Sequence, residues 1–192
     1  IGDSHAAQLN LSFDKLGQAQ GKSFQVLTAS SCVPIKGFDV ERISAGAQKD
    51  CLAQIDYTQT QLPRFTNVVM AGKWSYQLES KAFEQALKNF LVETANRHQH
   101  VTILAQLPMF NGNPVRAERL AKLGITSQLQ PLQNIDESNA KLAQIAQAYK
   151  HVTFKNFSKI QLFTNAPFHD GQLIYMDAHH LNEVGAVRYA QA

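Results

Sequence analysis

Short apolar runs alternate along this chain with stretches of helical period, and that alternation leaves few folds open. Val68-Val69-Met70-Ala71 is an unbroken apolar run, typical of a strand buried in a parallel sheet. Val101 to Leu107, stopped by Pro108, and Val152-Thr153-Phe154 are the next predicted strands. Between them, Glu79 to Arg97 places Ala82, Phe83, Ala86, Leu87, Phe90 and Leu91 at i, i+3, i+4 spacing, one apolar stripe of a helix. Ala47 to Leu62, broken by Pro63, and Asp136 to Tyr149 read the same way. Further helices are predicted over Ala6 to Gln20, ended by Gly17 and Gly21, over Arg116 to Leu123, and from Leu181 onward. Short strands are predicted at Ser23 to Thr28 and at Leu173-Ile174-Tyr175. Strands alternating with helices imply right-handed βαβ units and a mostly parallel sheet covered on both faces, an α/β fold.

The 192 residues suit a single domain over 1–192, and no Pro-, Gly- or Ser-rich linker and no repeat divides them. At 44% hydrophobic and 17% charged, the chain has the composition of a folded core. The net charge of +3 is mild and its basic residues are scattered, which argues against nucleic acid as a partner. No apolar stretch reaches the roughly 20 residues of a membrane span. Ile1 stands directly before a Gly-Asp-Ser turn, where a strand should already have run. The expectation is a C-terminal part of a larger membrane protein.

Cys32 and Cys51 are too few for a zinc site of the CxxC kind, and no histidine stands at ligand spacing from either. No metal and no cofactor are expected. The pair is either two buried thiols or a disulfide across 19 residues, which would contribute ~3 kcal/mol. The turn-like Ser30-Ser31-Cys32-Val33-Pro34 segment is expected to be exposed, which favours the crosslink and an oxidising compartment.

Chemistry concentrates at the two ends. Gly2-Asp3-Ser4 follows the first strand position, and Asp177-Ala178-His179-His180 precedes the last helix. Together they supply a Ser…Asp…His nucleophile system in one of its several chain orders. Ser4 is the candidate nucleophile, placed where a helix N-terminus favours developing negative charge. His180 is the candidate base, oriented by Asp177, with His179 as rival. Capping alone accounts for Asp3 or Ser4 singly but not for both motifs in one chain. The Ser4 N–H and the Gly72 N–H are candidate oxyanion donors. His5, Lys73 and Trp74 are candidate substrate-lining residues, with Trp74 equally readable as core.

These motifs resemble the SGNH (GDSL-like) hydrolase superfamily. Gly2-Asp3-Ser4-His5, the Ser31-to-Pro34 segment with Cys51, Val69 to Trp74, and Asp177 to Asn182 look like the SGNH domain fused behind a membrane acyltransferase domain in bacterial surface-polysaccharide O-acetyltransferases. The resemblance implies a three-layer α/β/α sandwich with a flavodoxin-like sheet. It implies a periplasmic domain of an inner-membrane protein that passes an acetyl group to a glycan hydroxyl through an acyl-serine. It further implies an acetyl donor delivered by an upstream transmembrane domain, and lipopolysaccharide, lipooligosaccharide or peptidoglycan as acceptor. One departure stands out: the Gly-x-Asn-Asp block is absent, and Asn111 or Asn113 are its nearest substitutes. A free-standing esterase of acylated glycans and a non-catalytic glycan-binding module are the alternatives.

Overall fold

The apolar run at 68–71 becomes β1 (Asn67–Met70), which pairs in parallel with β2 (His100–Leu104), itself parallel to β3 (Val152–Lys155). Val68 lies opposite Val101, so the buried positions of β1 and β2 share a register, and Val101 lies opposite Val152 of β3, whose residues are only half-buried or exposed. Two further chain segments extend this sheet by single bridges. Gly2 pairs in parallel with Ala71 on one side and Thr28 on the other. The Gly2 N–H donates to Leu27 O (3.3 Å), and the Ala71 N–H to Ile1 O (3.1 Å). The sequence around the sheet is therefore Thr28, Gly2, β1, β2, β3, the 2-1-3-4-5 order of a flavodoxin-like doubly wound sheet. The fold is α/β, as the alternation predicts.

A computed structural model describes all residues 1–192, and they form two compact units. The first comprises Ile1–Ala7, Val26–Gln106 and Asp136–Asn156 and contains the sheet. Its helices are α1 (Ser4–Ala7), α3 (Ala45–Gln61), α4 (Trp74–Gln77), α5 (Lys81–Asn96) and most of α7 (Asn134–Gln147). The α5 stripe packs Phe83, Leu87, Phe90 and Leu91 into one buried cluster with Met70, Val101, Ile103, Ile55 and Leu142. Ser80 caps α5 by accepting from the Phe83 N–H (3.1 Å). Cys32 and Cys51 form a disulfide that ties the turn after Thr28 to α3. Both cysteines are wholly buried: the Ser30-to-Pro34 turn is exposed at Ser30 and Ser31, as expected, but buried from Cys32 to Pro34, which corrects the expectation there.

The second unit comprises Gln8–Gln25, Leu107–Ile135 and Phe157–Ala192. Here α2 (Asn10–Gln20) packs against α8 (Glu183–Gln191), and the Ser12 hydroxyl donates to Ala186 O (2.6 Å). α6 (Pro114–Lys122) is capped by Asn113, whose Oδ1 accepts from the Val115 and Arg116 N–H groups.

Four expectations need correction. The helix predicted over Ala6 to Gln20 is two helices, and Gly17 lies inside the second while Gly21 ends it. The strand at Ser23 to Thr28 shrinks to the bridge at Thr28, with Phe24 stacked on Phe13 instead. The strand from Val101 stops at Leu104 because the Gln106 backbone turns to a side chain: its N–H donates to Asn139 Oδ1 (2.8 Å). Finally, β5 (Gln172–Leu173) pairs antiparallel with β4 (Phe168–His169), joined through Asp170-Gly171, both at positive φ.

Candidate active site

The Gly2-Asp3-Ser4 turn is built by close packing of backbones. A Cβ at residue 2 would lie 1.7 Å from Ala71 O and 2.7 Å from Ala6 Cβ, so only glycine fits between the two neighbouring strands. The turn leaves the sheet beside its switch point, where the flanking strands diverge and doubly wound sheets place ligands. Asp3 O then accepts from the Ala6 and Ala7 N–H groups, starting α1, with the partly exposed Ser4 as its first residue. α1 is four residues long, so the macrodipole expected from a long helix at Ser4 is not built.

Asp3 does more than cap. Its carboxylate is 1% exposed. Oδ1 accepts from the His5 N–H (2.8 Å), and Oδ2 accepts from the Lys73 N–H (2.9 Å) and from Gln77 Nε2 (2.9 Å). The turn after β1 is thereby fastened to the Gly2-Asp3-Ser4 turn. Gly72 is buried in that turn, and a Cβ there would meet the Trp74 ring at 3.1 Å. Trp74 is wholly buried, packs near Phe83 and donates from Nε1 to Leu104 O (2.8 Å). It is core and not a wall for a sugar, a correction to the substrate-lining expectation. His5 is buried too, which leaves Lys73, half-exposed, as the lining candidate with a reachable side chain.

A second buried polar set frames the same turn. Gln106 Oε1 accepts from the Ser75 N–H (2.7 Å), its Nε2 donates to Ser75 Oγ (3.1 Å), and Asn139 Nδ2 donates to Gln106 O (3.1 Å). Sequence reasoning misses Asp3, Gln77, Gln106 and Asn139 as site-framing residues. Their partners lie 31 to 74 positions away, and no spacing rule reaches that far.

In the second unit, Asp177 and His180 meet. Residues 176–179 form bends, ahead of α8. Asp177 Oδ1 accepts from the His179 and His180 N–H groups (2.7 and 2.8 Å), and Oδ2 lies 2.8 Å from His180 Nδ1. A carboxylate only accepts, so Nδ1 carries the proton and Nε2 is the basic nitrogen. Burial pushes the Asp177 carboxyl up, but hydrogen bonds from the His180 ring and the two backbone N–H groups outweigh it and hold the carboxyl below its ordinary range. The loop is closed at its base. Tyr175 bridges Leu181, the Met176 N–H donates to His180 O, and the Leu181 N–H donates to Gln8 Oε1. The Phe110 N–H reaches Ala178 O (2.9 Å), and the Tyr175 hydroxyl reaches Pro108 O (2.8 Å).

His179 stacks edge-on to His180, and ligand atoms of Asp177, His179 and His180 lie within 4.8 Å of one another. A cation there would compete with the N–H groups that already occupy both Asp177 oxygens. Asn113 Oδ1 caps α6 and Asn111 Oδ1 accepts from the Gln130 N–H, so both carboxamide oxygens serve their own loops.

Comparison with known proteins agrees with this architecture. The periplasmic domain of a lipopolysaccharide acetyltransferase from Salmonella ser. Paratyphi A superposes with a TM-score of 0.71 at 14% identity, covering 100% of this chain and 79% of that one. A putative platelet activating factor from Streptococcus pneumonia gives 0.58 at 18% identity, covering 100% and 78%. Sequence comparison with curated proteins gives no match. At such identities the likeness concerns the fold, but the family model for SGNH domains fused to AT3 domains matches residues 1–192. The chain therefore belongs to the family of SGNH domains fused to AT3 domains.

Proposed function

We propose that residues 1–192 act as one catalytic domain, an O-acetyltransferase that places an acetyl group on a hydroxyl of a bacterial surface glycan. The observation that carries this reading is the Asp177–His180 pair at 2.8 Å in a chain of this family. Ser4 is the nucleophile, His180 the base and Asp177 its orienting carboxylate. In the first half-reaction Ser4 Oγ attacks the acetyl carbonyl while His180 Nε2 takes the hydroxyl proton. The tetrahedral intermediate collapses as His180 returns that proton to the leaving group, giving acetyl-Ser4. In the second half-reaction a glycan hydroxyl attacks acetyl-Ser4, His180 again takes and returns the proton, and the glycan leaves as its acetyl ester. The N–H groups of Ser4 and Gly72 are assigned to the oxyanion.

Fusion of such domains to AT3 domains supports an upstream membrane acyltransferase as the source of acetyl groups, and a periplasmic position in an inner-membrane protein. The likeness to the periplasmic domain of the Salmonella lipopolysaccharide acetyltransferase supports a lipopolysaccharide-type acceptor. The test is to incubate the domain with an acetyl ester and lipopolysaccharide, capsule or peptidoglycan fragments, then locate new acetyl by mass spectrometry. Acetyl on a glycan hydroxyl is the expected result. Release of acetate alone, with every glycan unmodified, would make the protein an esterase and overturn the transferase reading.

A further inference from the structure

Gln77 is an unusual residue to bury. It is wholly inaccessible, at the end of the four-residue α4, and its Oε1 has no hydrogen-bond partner. An unpaired buried acceptor destabilises a fold, so the side chain's contribution lies in what its nitrogen holds. Nε2 donates to Asp3 Oδ2 (2.9 Å) and to Ser31 O (3.3 Å). Its backbone is held from the other side: Arg42 donates to Tyr76 O (2.6 Å) and Gln77 O (3.2 Å), with its guanidinium over the Tyr76 ring. Ser31 itself sits at φ 58, next to the disulfide-bonded Cys32.

Three loops converge on this one amide: the nucleophile turn through Asp3, the turn after β1 through Gln77 and the Lys73 N–H, and the turn after Thr28 through Ser31. The last two follow the strand positions that flank Gly2. The Lys73 N–H is already engaged by Asp3, which makes the position of the adjacent Gly72 N–H a consequence of that bond.

We infer that Asp3 and Gln77 form a buried clamp of positioning residues that sets the distance between the Ser4 nucleophile and the oxyanion donor at Gly72. The inference rests on the acyl-serine reading above. Neither residue touches substrate. The clamp acts on the acylation step by holding donor and nucleophile in register, where small displacements carry large rate penalties.

The test compares Gln77→Met, Asp3→Asn, the double variant and Thr94→Val on hydrolysis of p-nitrophenyl acetate, with a melting curve for each. Thr94 is a buried polar residue of α5, bonded to Leu91 O, and controls for plain destabilisation. For Gln77→Met the expected result is a kcat lower by about 10- to 100-fold with KM within about threefold, as loss of transition-state alignment requires. The double variant should lose no more than the worse single one, since both remove one device. Thr94→Val should keep wild-type kcat. A folded Gln77→Met with wild-type kcat, or a Thr94→Val that loses as much, would overturn the clamp. Should Asp3→Asn not fold, Gln77→Met alone decides. Ser4→Ala in the same assay separates the two levels. An active Ser4→Ala overturns the site itself, whereas an inactive one beside a fully active Gln77→Met overturns only the clamp.

Discussion

The two ends of the chain carry comparable chemistry but are built in opposite ways. The Gly2-to-His5 turn is held by partners 70 and 74 positions away, through buried hydrogen bonds and a backbone contact that tolerates no side chain. The Asp177-to-His180 loop aims its imidazole through local bonds. The bonds that aim the imidazole span two or three residues, and its carboxylate is 39% exposed. In one region the reacting side chain is placed by contacts across the sheet; in the other the imidazole is aimed by bonds within four residues, while Phe110, Pro108 and Gln8 only anchor the loop around it. Changes to the locally aimed Asp177–His180 pair should therefore cost activity with little stability, and changes at the Gly2-to-His5 turn should cost both.

The largest effect is expected at the loop. Asp177→Asn leaves an acceptor for the backbone N–H groups but no longer fixes the tautomer of His180. By the behaviour of other Ser-His-Asp systems, kcat for an acetyl ester should fall by ~10⁴-fold. The melting temperature should stay within about 4 °C, the range of a change near 1 kcal/mol. A large drop in melting temperature would show that the Asp177 side chain holds more of the fold than its local bonds. Gly2→Ala is the mirror experiment. A methyl 1.7 Å from Ala71 O forces two strands apart, at ~3 kcal/mol or more, and should abolish the cooperative melting transition or lower it sharply along with activity. A stable, active Gly2→Ala would contradict the close packing on which the nucleophile turn depends.

Next is the crosslink. Cys32→Ala combined with Cys51→Ala should lose ~3 kcal/mol in urea unfolding, by loop-closure entropy over 19 residues. The smallest effect is the pH dependence of the loop. The folded Asp177 carboxyl lies below its ordinary 3.8. Its contribution to stability is therefore present above that value and lost as pH falls through the lower folded one. The melting temperatures of wild type and Asp177→Asn should converge below pH 3.8. Because the pair is partly exposed, the gap above that pH should be small and should narrow in salt.

The same contrast governs how much could be read from the sequence. The Asp177–His180 contact was legible because the two residues are three apart and bond directly, even though the residues between them form bends. The parallel strands were legible because β1 to β3 are apolar runs bounded by long amphipathic helices. The nucleophile turn was legible as a motif only. That Asp3 binds Lys73 and Gln77, or that Gly2 is pressed between Thr28 and Ala71, depends on long-range register. Trp74 shows the limit clearly. An aromatic after a strand reads alike as core or as binding wall, and the bond that decides it goes to Leu104, 30 residues on. The β4–β5 hairpin had its signal in Asp170-Gly171, but paired strands of two residues carry no periodicity to accompany it.

The central claim is that acetyl passes through Ser4. Its most direct test is intact and peptide mass spectrometry of the domain quenched during turnover of an acetyl ester. The account predicts one acetyl group on the peptide containing Ser4, lost on adding an acceptor glycan and absent from Ser4→Ala. Acetyl transfer at the wild-type rate by Ser4→Ala, with no adduct on that peptide, would contradict it.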